Sequence, residues 1–343
     1  MTAITNTIWN RQVVPVIDFE FMGVKRIIKK AAEILLLSKL FYKTQWYKSL
    51  FVDMQHETYP DNTWYRNHEE RNFDIVNLGS SSAKYAFDYA ETGVKGMNWA
   101  QKPQTLLEDF NLLRCYHSIL KKGGYVIITI MPFTSINKKT GIYDALKYLK
   151  IDTQSEPIQP YLYDKAKKYE KFPILFGKPV LKGLLKYILG KENKNVVDIS
   201  QCENNPSSDS DLGKDAQRWV DGWKKQFSIS DLEQPLTPEN AQGREFRIKV
   251  MQNLIDFCIE REYVPVYVIP PVTEYLDKYF TTKFKDIYIY EFLQQVGRDV
   301  KMLDYTKEKE LMDKSFYFNS FFFNKKGCKV FTEKVLKDLG LER

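Results

Sequence analysis

Four short apolar runs constrain this chain more than anything else in it: FDIVNL at 73–78, YVIITIM at 125–131, VPVYVI at 264–269 and the shorter VKML at 300–303. The first three are rich in β-branched and aromatic residues and show no strict polar alternation, the pattern of a strand buried on both faces. A fifth, weaker run lies at Gly93–Met97. Between them the periodicity changes to helical. Gln104–Lys121 carries Leu106, Phe110, Leu113 and Leu120 on one side, and Pro238–Arg261 carries Phe246, Val250, Leu254 and Cys258, with Thr237 placed to cap it. Asp286–Val296 and Lys326–Leu339 continue the series. Strands alternating with helices predict an α/β domain whose parallel sheet is covered by helices on both faces.

The alternation lapses in one place. From 133 to about 236 no core strand is legible, only short helical pieces such as Pro179–Leu189 and a polar stretch, Cys202–Asp215, that reads as an exposed loop. We read this region as an insertion in an α/β domain spanning 73–343, preceded by a helical extension at 1–72. Within that extension, VKRIIKKAAEILLLSKLFYK at 24–43 puts Ile27, Ile28, Ala31, Ile34 and Leu35 on one side of a helix, with Lys25, Arg26, Lys29 and Lys30 toward the other. Such a helix either lies on an anionic membrane surface or packs its apolar stripe on its own domain. Both readings stay open.

The chain is long enough, and at 43% hydrophobic residues apolar enough, to bury a large core without staples. Its four cysteines, Cys115, Cys202, Cys258 and Cys328, show neither a disulfide framework nor a metal-ligand spacing, so no metal or cofactor is expected and a reducing compartment is. The net charge of +7 is spread among acids over most of the chain, which argues against nucleic acid as the partner. No apolar run approaches the roughly 20 residues that span a bilayer, and no leader pattern is seen at the N-terminus. The expectation is a cytoplasmic protein, with peripheral contact at the inner membrane face through 24–43 as the membrane alternative.

The first strand ends in an unusual way, with Gly79 followed by Ser80, Ser81 and Ser82. In an open parallel sheet ligands gather beyond the carboxyl ends of the strands, so this hydroxyl cluster is placed for a nucleophile or an anion. The plainer reading is that the serines cap a helix starting near Lys84. A nucleotide or cofactor-methyltransferase site is disfavoured, because Gly79 is the only glycine between Leu78 and Tyr89.

FDIVNLGSSSAKYAFDY, at 73–89, resembles the first block of the SGNH (GDSL-type) hydrolase superfamily, where a strand ends in Gly-Asp-Ser and the serine is the nucleophile. YFNSFFFNKKGCKVFTEKVL, at 317–336, resembles the last block, with Asn324, Gly327, Phe331 and Thr332 in its frame. The resemblance covers roughly 73–132 and 245–340, and VYVIPPV at 266–272 suits the strand and loop before the final block. It implies a doubly wound three-layer α/β/α sandwich with a central parallel sheet, of SGNH-hydrolase or flavodoxin-like type, its site at the strand ends. It also implies an esterase or O-acyltransferase acting on acyl esters, those of a cell-surface carbohydrate among them. Ser81 is then the nucleophile, with Gly96 and Asn98 as oxyanion or binding residues.

The chain departs from that family where the base should be. The Asp-x-x-His positions fall on Asn319 and Phe322, and no histidine follows His117. Of the three histidines, His68 precedes the first strand, His117 falls on an apolar stripe, and His56 is left as a replacement base. Asp304, at the end of the last strand, reads as a turn or capping aspartate. The aromatic run FYFNSFFF at 316–323 suits either a sugar platform or an apolar plug under the site. The alternative function is therefore a catalytically inactive SGNH-fold protein that binds a glycan or a protein partner.

Overall fold

The computed structural model describes residues 39–49, 72–136, 140–151, 156–192 and 208–342. The apolar part of the 24–43 helix, His56, His68 and Cys202 lie outside the described residues. The chain divides into two compact units, one formed by Met1–Val52 with Leu162–Val196, the other by Asp53–Tyr161 with Val197–Arg343.

The larger unit holds a five-stranded parallel sheet in the order β2-β1-β3-β4-β5. Its strands are β1 Phe73–Leu78, β2 Gly96–Asn98, β3 Leu120–Thr129, β4 Val264–Ile269 and β5 Lys301–Asp304. Alternate residues feed opposite faces. Val76, Leu78, Val126, Ile128, Tyr267 and Ile269 pack under the helices Leu106–Tyr116, Pro238–Glu260 and Glu291–Val296. Ile75, Ile127, Val266 and Val268 pack on the other side, against residues 86–94 and the helix Lys325–Asp338. Helices on both faces make this the expected doubly wound three-layer sandwich.

The elements follow local chemistry closely where the signals were strong. Thr237 Oγ1 accepts from Asn240 N–H and Pro238 stands at the first helical position, which fixes the start of the long Pro238–Glu260 helix. Three boundaries differ from expectation. The polar stretch Cys202–Asp215, read as an exposed loop, is helix from Asp209 onward, capped by Ser208, whose Oγ accepts from Asp211 N–H. The helix predicted to reach Lys121 stops at Tyr116, passes through a short 3-10 turn, and is strand from Leu120 onward. The extra strand residues 121–124 pair irregularly beside Phe73–Ile75, and the buried Asp74 carboxylate is held there by the Lys121 ammonium and by Lys95 N–H. The weak strand lies a little later than read, at Gly96–Asn98 instead of Gly93–Met97.

The strand order reverses direction at β1, so chain connections leave β1 and β3 on opposite faces and a crevice opens between their carboxyl ends. Over it lies the Asp209–Phe227 helix, from the region read as an insertion, whose Ala216, Val220, Trp223 and Phe227 join Phe133, Leu276, Phe280 and Phe284 in a separate apolar cluster.

The smaller unit is helical among its described residues. Its helices are Gln45–Ser49, Tyr163–Lys171 and Lys178–Ile188. Trp46 packs edge-on to Phe176, at 5.3 Å between ring centroids, and lies so close over Gly183 that a Cβ there would meet the Trp46 Cβ at 2.7 Å. Tyr42 Oη donates to the carbonyls of Glu170 and Lys171.

Candidate functional site

Gly79 makes the first turn of the site. Its φ of +133° is one that L side chains rarely adopt, and an added Cβ would run into Ala83 Cβ at 2.7 Å and Thr129 Cβ at 3.2 Å. Beyond it Ser80, Ser81 and Ser82 line a cleft of about 450 Å³ at the carboxyl ends of β1 and β3. The capping reading accounts for little of them. The helix that follows is a single turn, Ser81–Lys84, and Ser80 gives it no side-chain cap; Ser80 Oγ instead accepts from Gln104 N–H at 3.3 Å.

The floor of the cleft carries a group that the sequence reading missed. Asp109, on the Leu106–Tyr116 helix, is buried, and its Oδ1 accepts from Gly79 N–H at 2.8 Å and from Gln104 Nε2 at 2.6 Å. Loss of water around the carboxylate outweighs these hydrogen bonds and pushes its pKa up to about 7, with the adjacent Glu108 adding to the rise and Arg247 opposing it. Arg247 is itself buried, and burial lowers its pKa while Glu108 and Asp109 hold it up. Gln104 is fixed in turn by Tyr148 Oη, which donates to its Oε1 at 3.1 Å. Glu108 turns back on the helix start to accept from Thr105 N–H at 2.7 Å, and it also takes hydrogen bonds from the Thr105 and Thr140 hydroxyls and from Gln159 Nε2 at 2.5 Å. At the end of β3, Thr129 Oγ1 borders the same cleft, buried and with no hydrogen-bond partner among the described residues.

The opposite wall is aromatic. Trp219, Trp223 and Phe227 recur at every fourth position of the Asp209–Phe227 helix and face the cleft with Phe133, Phe321 and Phe322. Phe321 and Phe322 stack at 4.6 Å between centroids, and Trp219 meets both edge-on. The spacing of the two tryptophans was readable in RWVDGWKKQF, but nothing local to that helix says that it reaches the serines.

The residues expected at the site separate into two groups. Ser81 and Phe322 come together in the cleft although 241 positions apart in the chain. Asn319 closes a tight turn, its Oδ1 accepting from Phe321 and Phe322 N–H at 2.8 and 2.7 Å. Gly96 and Asn98 need correcting as oxyanion donors. Gly96 pairs with Ile75, two positions back from the end of β2; its N–H goes to Val94 O, and a Cβ there would overlap the Tyr89 ring. Asn98 Nδ2 donates to the carbonyls of Phe87, Lys84 and Ala83, and its Oδ1 accepts from Asn77 Nδ2 and Ala100 N–H. Its amide is spent on closing the β1–β2 loop, a structural task that a count of family motifs does not distinguish from catalysis.

His117 is far from the serines. Its Nδ1 lies 3.1 Å from Tyr263 Oη, beside the starting end of β4, and its ring packs edge-on to Phe257; burial lowers its pKa. Asp304 is a turn residue, accepting from Tyr290 Oη at 2.6 Å and Thr306 N–H at 2.9 Å. Among the described residues, no group of three or more His, Cys, Asp or Glu side chains is arranged to hold a metal ion. No protein-family model matches this chain, and no curated protein matches it either.

Proposed function

We propose that the cleft carries out acyl-ester chemistry on a carbohydrate, with Ser81 as nucleophile and Asp109 in place of the histidine base of SGNH hydrolases. The observation that carries this is the meeting in one cleft of three serines and a buried carboxylate poised near neutral pH. Ser81 Oγ attacks the ester carbonyl as its proton passes to the Asp109 carboxylate. The tetrahedral intermediate collapses, the C–O bond to the alcohol breaks, and Asp109 returns the proton to the leaving oxygen. Water, or a sugar hydroxyl in a transferase, then releases the acyl group by the reverse sequence. The Thr129 hydroxyl, unpartnered among the described residues, lies beside the place where the oxyanion would develop, and half-buried Trp219 lines the cleft where a sugar ring would pack. The proposed setting is the cytoplasmic side of surface-polysaccharide assembly.

A second reading is favoured by Phe322, which puts a hydrocarbon where that family has its base. In it the cleft binds an acylated glycan, or a protein partner, without turnover. Intact-mass labelling with a fluorophosphonate separates the two. The catalytic reading expects one adduct per chain, lost in Ser81→Ala and slowed about 10²- to 10⁴-fold in Asp109→Asn. A folded protein that takes no label at high probe concentration would overturn it and leave the binding reading.

A further inference from the structure

The Lys178–Ile188 helix is apolar on two sides. Val180, Gly183 and Leu184 are buried within the smaller unit, as an amphipathic helix requires. Leu181, Leu185, Ile188 and the following Leu189 form a second stripe, spaced at i, i+4, i+7 and i+8, and are 45–63% exposed. Four large aliphatic side chains gathered on one exposed stripe mark an interaction surface.

The charge around the stripe selects the partner. Residues 162–192 hold eight lysines against three acids, and residues 39–49 hold three lysines and no acid. The described part of this unit thus has a net charge of +8, which accounts for the whole +7 of the chain. Lys182 and Lys186 are exposed on the stripe's own helix, and Lys165, Lys167, Lys168 and Lys171 are exposed on the Tyr163–Lys171 helix. Aliphatic side chains bordered by lysines match the boundary between acyl chains and anionic headgroups. A second copy of the same surface would set one lysine-rich unit against another.

We infer that this stripe is a docking surface for an anionic lipid bilayer, entered by Leu181, Leu185, Ile188 and Leu189 and held by the surrounding lysines. No helix among the described residues is long and apolar enough to cross a membrane, and this contact requires none to do so. The surface lies outside the serine cleft and does not depend on its chemistry. It is also distinct from the apolar stripe of the 24–43 segment, so substitutions can separate the two.

The test is co-sedimentation of the full-length chain with vesicles of phosphatidylglycerol and phosphatidylcholine, compared with phosphatidylcholine alone. Binding to the anionic vesicles is expected, together with a weakening of about ten-fold or more in Leu185→Ser/Ile188→Ser and in Lys182→Glu/Lys186→Glu. All four positions are exposed, and circular dichroism identifies any variant that fails to fold. No binding to anionic vesicles, equal binding to both vesicle types, or undiminished binding in both folded variants would overturn the inference. So would sedimentation equilibrium showing a dimer that Leu185→Ser/Ile188→Ser dissociates, since a second copy would then cover the stripe.

Discussion

Asp109 concentrates the physical chemistry of the cleft in one side chain. Its folded pKa of about 7 lies above the ordinary 3.8, so between those pH values the folded chain holds a proton that the unfolded chain has released. The associated stability is fully present below pH 3.8 and is lost as the pH rises to about 7. At about 1.4 kcal/mol per unit, the shift corresponds to about 4 kcal/mol. The amide introduced by Asp109→Asn would keep an oxygen to accept from Gly79 and Gln104 but would not titrate. Urea unfolding of Asp109→Asn and wild type at pH 4 and pH 8 is therefore expected to show the variant gaining by a few kcal/mol at the higher pH. Parallel pH curves would mean that Asp109 titrates as an ordinary carboxylate, and the base assignment would lose its basis. The sequence did hold a trace of this residue. Asp109 shares the helical stripe of Leu106 and Leu113, a core-facing place where an acid has to be explained. Its hydrogen-bond partners come from a glycine 30 positions earlier and a glutamine just before the helix, and that tertiary arrangement was not legible.

At the scale of elements, the site depends on how the Leu106–Tyr116 helix begins. Thr105 and Glu108 form its start, with the Glu108 side chain folded back on Thr105, and Thr105 O accepts from Asp109 N–H. Thr105→Ala removes one hydroxyl partner from a buried carboxylate and is expected to cost about 1–2 kcal/mol in urea unfolding. It should also slow fluorophosphonate labelling, because Gln104 and Asp109 are positioned by the same turn. Thr105→Ser should restore both; a serine variant as slow as the alanine variant would show that the threonine methyl, not the hydroxyl, is what matters. Elements of this kind were legible in proportion to how local their causes are. β4 is a continuous apolar run, β1 is apolar except for Asp74 and Asn77, and the Pro238–Glu260 helix has its Thr-Pro start. β2 is only three residues long, and after Leu120 β3 runs through Lys-Lys-Gly-Gly, which pairs because of its neighbours and carries no apolar signal of its own.

For the whole molecule, the strand order makes the cleft a property of the sheet. Ser80–Ser82 continue β1, Thr129 ends β3, and the two strands are held in register by Ile75 beside Tyr125 through Leu78 beside Ile128. Neither side of the cleft exists without that pairing. Ile127 is fully buried in β3 on the face away from the Asp109 helix, whereas Met302 on the edge strand β5 is 45% exposed. Ile127→Ala should therefore cost about 2–5 kcal/mol, and Met302→Ala less than about 0.5 kcal/mol. Hydrogen exchange in peptides from β1 and β3 is the matching readout. In Ile127→Ala, their protection and the capacity for Ser81 labelling should disappear together at a lower urea concentration, with both unchanged in Met302→Ala. If labelling outlasted strand protection, the serine would owe its reactivity to the local turn alone, and the sheet's switch point would not be what builds the site.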